Sequence, residues 1–159
     1  MTELAAQEVA HLERAVALAQ AARDRGDHPF GAVVVAANGA VVEAMNSVVT
    51  DHDPTGHAET NAVRASGRRL SDAQLRTATL YTSTEPCAMC AAAIFWAGIP
   101  RMVFALSGAA LIDLLPAGSD APSLDLPARE LYARASHPVE VVGPVPLPAA
   151  VTVHADFWA

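Results

Sequence analysis

Gly31-Ala32-Val33-Val34-Val35-Ala36-Ala37-Asn38-Gly39-Ala40-Val41-Val42-Glu43-Ala44-Met45 is the stretch on which the fold turns. Two valine-rich runs, Gly31 to Ala37 and Ala40 to Met45, flank Asn38-Gly39. That dipeptide tolerates the positive φ angles of a tight hairpin turn, so the runs read as paired antiparallel strands. Upstream, Leu4 to Arg25 carries Leu4, Val9, Leu12, Val16 and Ala19 near helical spacing and stops at Gly26. Downstream, Val48 to Gly56 reads as a loop, His57 to Leu70 as a helix and Ala78 to Ser83 as a strand. Cys87 to Ala97 then reads as a helix and Met102 to Leu106 as a strand. Beyond Ser107 the pattern weakens. It suggests helices over Ala109 to Leu115, stopped by Pro116, and over Ala128 to Ala135. Strands are suggested over Val139 to Val142 and Val151 to Val153. This order predicts one layered α/β domain over residues 1–159 with a mixed sheet. The first strand pair is antiparallel and the later strands are parallel through helical crossovers.

The 159 residues are 52% hydrophobic and 17% charged, a globular balance that excludes intrinsic disorder. Two cysteines cannot build a disulfide scaffold. The longest apolar stretch, Cys87 to Ile99, is too short to span a membrane, and Met1-Thr2-Glu3-Leu4 lacks the basic and apolar regions of a signal peptide. A cytoplasmic protein is the expectation. The net charge is −7 and the ten basic residues, all arginine, are scattered. That balance argues against a polyanionic partner, since phosphate neutralisation supplies most nucleic-acid affinity.

Two short segments carry chemistry: His57-Ala58-Glu59 and Pro86-Cys87-Ala88-Met89-Cys90. A C-x-x-C pair at a helix start brings two sulfurs within reach of one ion, and the positive helix end favours thiolates. A redox dithiol uses the same spacing, but it has no need of a histidine at the start of the preceding helix. With His57 the set becomes Cys2His, which leaves one zinc position open, as catalytic zinc requires. Water at such a position can fall in pKa from about 15.7 to about 7. Glu59, two residues from His57, is placed as the proton carrier beside it. A structural zinc without catalysis would normally close with a fourth protein ligand. Two small buried cysteines, a capping His57 and a dipole-complementing Glu59 are the plainer readings of the same residues.

The combination H-x-E with P-C-x-x-C resembles the zinc-dependent cytidine-deaminase superfamily. The likeness runs from His28 to Leu106 and includes Pro29-Phe30-Gly31-Ala32-Val33, Asn46, Asp53 to Glu59 and Thr84 to Cys90. It implies a three-layer α/β/α cytidine-deaminase-like fold with a mixed five-stranded sheet. It also implies Zn2+ on His57, Cys87 and Cys90, with Glu59 as the catalytic acid–base. Within the superfamily, Phe30 and Ile94-Phe95-Trp96-Ala97 look most like the guanine deaminases. Cys87-Ala88-Met89-Cys90 looks closer to the tRNA adenosine deaminases. The resemblance therefore implies hydrolytic deamination of a free aminated base or related heterocycle. Guanine is the first choice, with a cytosine-like or amino-triazine ring as further choices. A tRNA adenosine deaminase and a non-catalytic zinc-binding module are the rival readings.

By the same analogy, Asn46 and the backbone at Ala58 would contact the substrate, and Phe30 and Trp96 would wall a planar ring. Phe157 and Trp158 resemble an aromatic segment that closes the pocket. The second acid of guanine deaminases has only Asp113 as its counterpart before Asp120. The superfamily is generally oligomeric, which makes a homodimer the expectation. The apolar surface of Ala91 to Phe95 would serve as that interface or be buried within one subunit.

Overall fold

A computed structural model describes residues 3–159. Helix α1 (Ala6–Arg25) is followed by strands β1 (Gly31–Val35) and β2 (Val41–Met45), helix α2 (Ala58–Arg69) and a short α3 (Asp72–Leu75). Then come β3 (Thr79–Thr84), α4 (Ala88–Trp96), β4 (Arg101–Leu106), α5 (Gly108–Asp113), α6 (Ala128–Tyr132), β5 (Glu140–Val142) and α7 (Pro148–Thr152). The strands form one sheet in the order β2-β1-β3-β4-β5. β1 pairs antiparallel with both β2 and β3, while β3–β4 and β4–β5 are parallel, as the hairpin and the crossovers require.

The period of two along each strand divides the core. Ala32, Val34, Leu80, Met102 and Phe104 face a layer that contains Ala58, Ala62, Ala91, Ile94 and Tyr132 from α2, α4 and α6. Val33, Tyr81, Val103 and Ala105 face the opposite way, onto Leu12, Ala15, Val16 and Leu18 of α1 and Ala150 of α7. This is the three-layer α/β/α arrangement with a mixed five-stranded sheet. α1 ends at Gly26, whose φ of 98° is the left-handed cap that glycine supplies without strain. At Gly31 a Cβ would lie 2.2 Å from the Ala15 carbonyl oxygen, so the missing side chain lets α1 sit directly on β1.

The structure corrects one element. Val151 to Val153 is not a strand. Val151 and Thr152 close α7, which begins on Pro148 at its first turn and continues through two alanines. Proline at the first helical position and good helix formers behind it outweigh two β-branched residues. The α3 turn was not anticipated; Ser71 caps it by accepting a hydrogen bond from the Gln74 N–H.

Asp27, just past α1, is fully buried. Its carboxylate accepts from the Val49 N–H at 3.0 Å, the Thr50 N–H at 2.9 Å and the Thr50 hydroxyl, and pairs with Arg25 at 2.7 Å. Arg25 also donates to the Asn46 carbonyl at 2.8 Å. The loop that leads into His57 is thus tied to the end of α1. Burial alone would raise the Asp27 pKa, but the Thr50 and Arg25 hydrogen bonds hold it down at about 2. A depressed folded-state pKa contributes stability above the unfolded value near 3.8 and loses it as pH falls toward 2. Asp27→Asn is expected to cost about 2 kcal/mol at neutral pH, the scale of hydrogen bonds to a charged group. Urea midpoints measured against pH should show that difference shrinking between pH 4 and pH 2, whereas a difference independent of pH would exclude the carboxylate as its cause.

Candidate metal and catalytic centre

The N-termini of α2 and α4 converge beyond the end of β3. His57 is the N-cap of α2 and Cys87 the N-cap of α4, both in extended backbone; Cys90 follows one turn into α4. The His57 Nδ1 lies 3.6 Å from Cys87 Sγ and 3.5 Å from Cys90 Sγ, and the three donor atoms all fall within 4.8 Å of one another. Zinc bonds of about 2.3 Å to sulfur and about 2.0–2.1 Å to nitrogen at a tetrahedral angle place S and N about 3.5 Å apart. The observed separations match, so His57, Cys87 and Cys90 fit a zinc ion. Among the described residues they are the one histidine, cysteine and carboxylate cluster close enough to hold a metal.

A hydrogen bond from Cys90 holds Cys87 down at about 4, with His57 and the Cys90 N–H helping against burial. Cys90 is pushed up by its hydrogen bond to Cys87 and by burial. His57 is raised in turn by its hydrogen bond to Cys87. The Thr60 hydroxyl, in the first turn of α2, lies 3.2 Å from the Cys90 sulfur.

Glu59 is 5% exposed and sits in the first turn of α2. Burial pushes its carboxyl up, partly offset by its own backbone N–H and by the Thr82 hydroxyl, which donates to Oε1 at 3.0 Å. Glu59, His57 and Cys87 share the wall of a cavity of about 330 Å³. Phe30 and Trp158 line the same cavity. Trp158 Nε1–H donates to His154 Nδ1 at 3.2 Å, and burial, with Arg23 nearby, pushes His154 down to about 4. A neutral His154 is therefore the acceptor that holds Trp158 in place.

Other expected site residues lie elsewhere. Trp96 is 82% exposed, because α4 buries Cys90, Ala91 and Ile94 and turns Trp96 the other way; it does not wall the cavity of its own chain. Asp113 is exposed at the end of α5 and does not line the cavity, whereas Leu111 and Ile112 of α5 and Leu115 just beyond it do. Asp125 lines the cavity instead. Asn46 is buried outside the lining, its side-chain oxygen accepting from the Val48 N–H at 3.1 Å in a turn. Ala58 is buried as the first residue of α2, and Phe157 packs against His28 and under Arg23 rather than on the cavity.

Glu85, within the Thr84 to Cys90 motif, shapes the site through the backbone. Glu85 Oε2 accepts from the Gly108 N–H and Oε1 from the Ala128 N–H, both at 3.0 Å. A single carboxylate thereby holds both ends of the segment 108–128, which forms much of the cavity wall. The Thr84 hydroxyl beside it is buried without a hydrogen-bond partner among the described residues.

A family model described as the cytidine and deoxycytidylate deaminase zinc-binding region matches residues 5–106. A protein of Schizosaccharomyces pombe described as a probable cytosine deaminase is 46% identical over 157 residues, 99% of this chain and 96% of that protein. The guanine deaminase of Bacillus subtilis is 47% identical over 94 residues, which span 58% of this chain and 60% of that protein. A solved structure of guanine deaminase from Bacillus subtilis superposes with a TM-score of 0.62 at 33% identity, covering 91% of this chain and 88% of that one.

Proposed function

The chain belongs to the cytidine and deoxycytidylate deaminase family, a zinc-binding hydrolytic deaminase, and from that premise we propose that it deaminates a free cytosine-type base. The observation that carries the choice of ring is where the likeness extends. Gly108, Leu111, Leu126 and Trp158 line the cavity and lie beyond residue 106, the end of the family match. The match to the probable cytosine deaminase takes in nearly the whole chain and so includes this wall. The guanine deaminase match spans 58% of the chain. Guanine, which the motif resemblance favoured, becomes the second reading, supported by the superposition that covers 91% of the chain.

His57, Cys87 and Cys90 would hold a zinc ion, which would supply the Lewis acidity that lowers the pKa of water to about 7. The remaining work falls to this chain. Phe30 and Trp158, whose ring centroids lie 6.1 Å apart, form one continuous aromatic wall against which the planar ring packs. Glu59, buried and oriented by Thr82, takes a proton from the attacking water and returns it to the leaving amine. Asp125 takes the place expected of Asp113 as the acid that accepts from a ring N–H. One water is consumed per turnover. Its oxygen becomes the ring carbonyl, the exocyclic C–N bond breaks and ammonia leaves, with no transfer of electrons.

Residues 1–159 work as one domain in this reading, around a single sheet covered on both faces. Among the described residues no helix is long and apolar enough to cross a membrane. The enzyme is placed in the cytoplasm, where thiols stay reduced for zinc. The exposed face of α4 with Met89 and Trp96 is the proposed homodimer contact. Ammonia release from cytosine, guanine, adenine, their nucleosides, amino-triazines and tRNA tests the assignment. Cytosine is expected to exceed the other substrates, and inosine formed in tRNA with silence on free bases would replace the reading. Sedimentation of the same preparation at twice the chain mass checks the dimer.

A further inference from the structure

We propose that the cavity contains a second subsite, which takes an uncharged apolar substituent of about ring size carried by the base. The subsite is the wall formed by Leu111, Ile112, Leu115, Pro122, Leu124 and Leu126. This deepens the substrate reading given above and rests on it.

Size is the first argument. A cavity of about 150 Å³ lined by aliphatic and aromatic side chains holds benzene. The cavity here is about 330 Å³, so a single pyrimidine ring leaves about half of it unfilled. Chemistry is the second. The reacting centre of His57, Glu59 and Cys87 is contiguous with a wall of six apolar side chains interrupted only by Ser123 and by Asp125, which the ring itself engages, and both oxygens of Glu85 are occupied by backbone donors. A polar edge of the substrate turned onto that wall would find few partners, whereas an apolar group would remove aliphatic surface from water. Ile112 is 42% exposed and Leu124 68% exposed, more open than the core that packs the rest of the sheet.

Construction is the third argument. The wall lies outside residues 5–106, so it is separate from the shared catalytic apparatus. It is nevertheless held in register with that apparatus, because Glu85 fastens both of its ends one residue before Pro86-Cys87. The occupant is the substrate itself, since wall and catalytic centre bound one continuous cavity.

The test uses the zinc-loaded full chain. Turnover of cytosine is compared with that of 5-benzylcytosine and 1-benzylcytosine, and calorimetry compares uracil with the two benzylated uracils. The better benzylated ring is expected to gain at least about tenfold in kcat/KM, and its product at least about tenfold in affinity, the lower end of what a single methylene gains in a fitted apolar pocket. The double variant Ile112→Ser, Leu124→Ser is expected to bring both ratios back toward one. Benzylated rings that bind no better than their parents would overturn the subsite, as would guanine outperforming every substituted pyrimidine. Absence of ammonia from all rings, with the binding preference intact, would instead remove the deaminase substrate assignment and keep the subsite.

Discussion

Replacing Glu59 with alanine is expected to lower kcat by about 10²–10⁴-fold while zinc stays at one per chain, the range that a positioned acid–base group contributes. The expectation follows from three features. Glu59 is outside the ligand set, so its loss leaves the metal in place. Its carboxyl is buried and turned to a set direction by Thr82, so bulk water cannot easily substitute for it. Burial raises its affinity for a proton, which suits a group that must accept one and release it within each turnover. Glu59→Gln keeps the shape and the Thr82 contact but cannot carry the proton, so it should be as slow as the alanine variant. Metal analysis beside steady-state kinetics decides the matter. Turnover near the native rate with zinc retained would show that another group moves the proton.

Cys90→Ser is expected to lower zinc affinity by more than about 100-fold, since losing only the hydrogen-bond partner of a ligand already costs about 10–100-fold. Cys90 is completely buried, with the Thr60 hydroxyl 3.2 Å from its sulfur, so serine fits the space but offers a hard, protonated oxygen in place of a thiolate. Turnover should vanish with the metal. The fold should survive, because Leu80, Met102, Phe104, Leu12 and Val33 pack the sheet on both faces without help from the ion. Chelation of the native protein should reproduce this result, and circular dichroism should change little in either case. Stoichiometric zinc and full activity in Cys90→Ser would contradict the proposed ligand set.

The catalytic cluster was legible because local rules write it. A proline, a C-x-x-C pair and a histidine at a second helix start are each read from a few neighbouring residues, and the hairpin announces itself through Asn38-Gly39. The cavity wall was not legible, because helix orientation decides it. Asp113 and Ile112 are adjacent in sequence and both exposed, yet only Ile112 lines the cavity, and the placement of α5 in the fold rather than any local pattern decides which does. Trp96 was misplaced for the same reason. Asp27 and Glu85 were hidden by distance, since their partners lie 22 and 43 residues away and are backbone amides, which no residue type reveals. Val151 to Val153 shows the opposite hazard, a local β preference overridden by a proline four residues ahead of Thr152.

The Glu85 clasp makes the intervening stretch an exchangeable cassette. Because its two ends meet on one carboxylate, donor sequences of other lengths can be spliced between Gly108 and Ala128 without asking β4 or α6 to move. The entropic cost of a longer insert rises only with the logarithm of its length. Grafting the corresponding stretch of a relative is thus a direct route to altered selectivity on an unchanged metal centre.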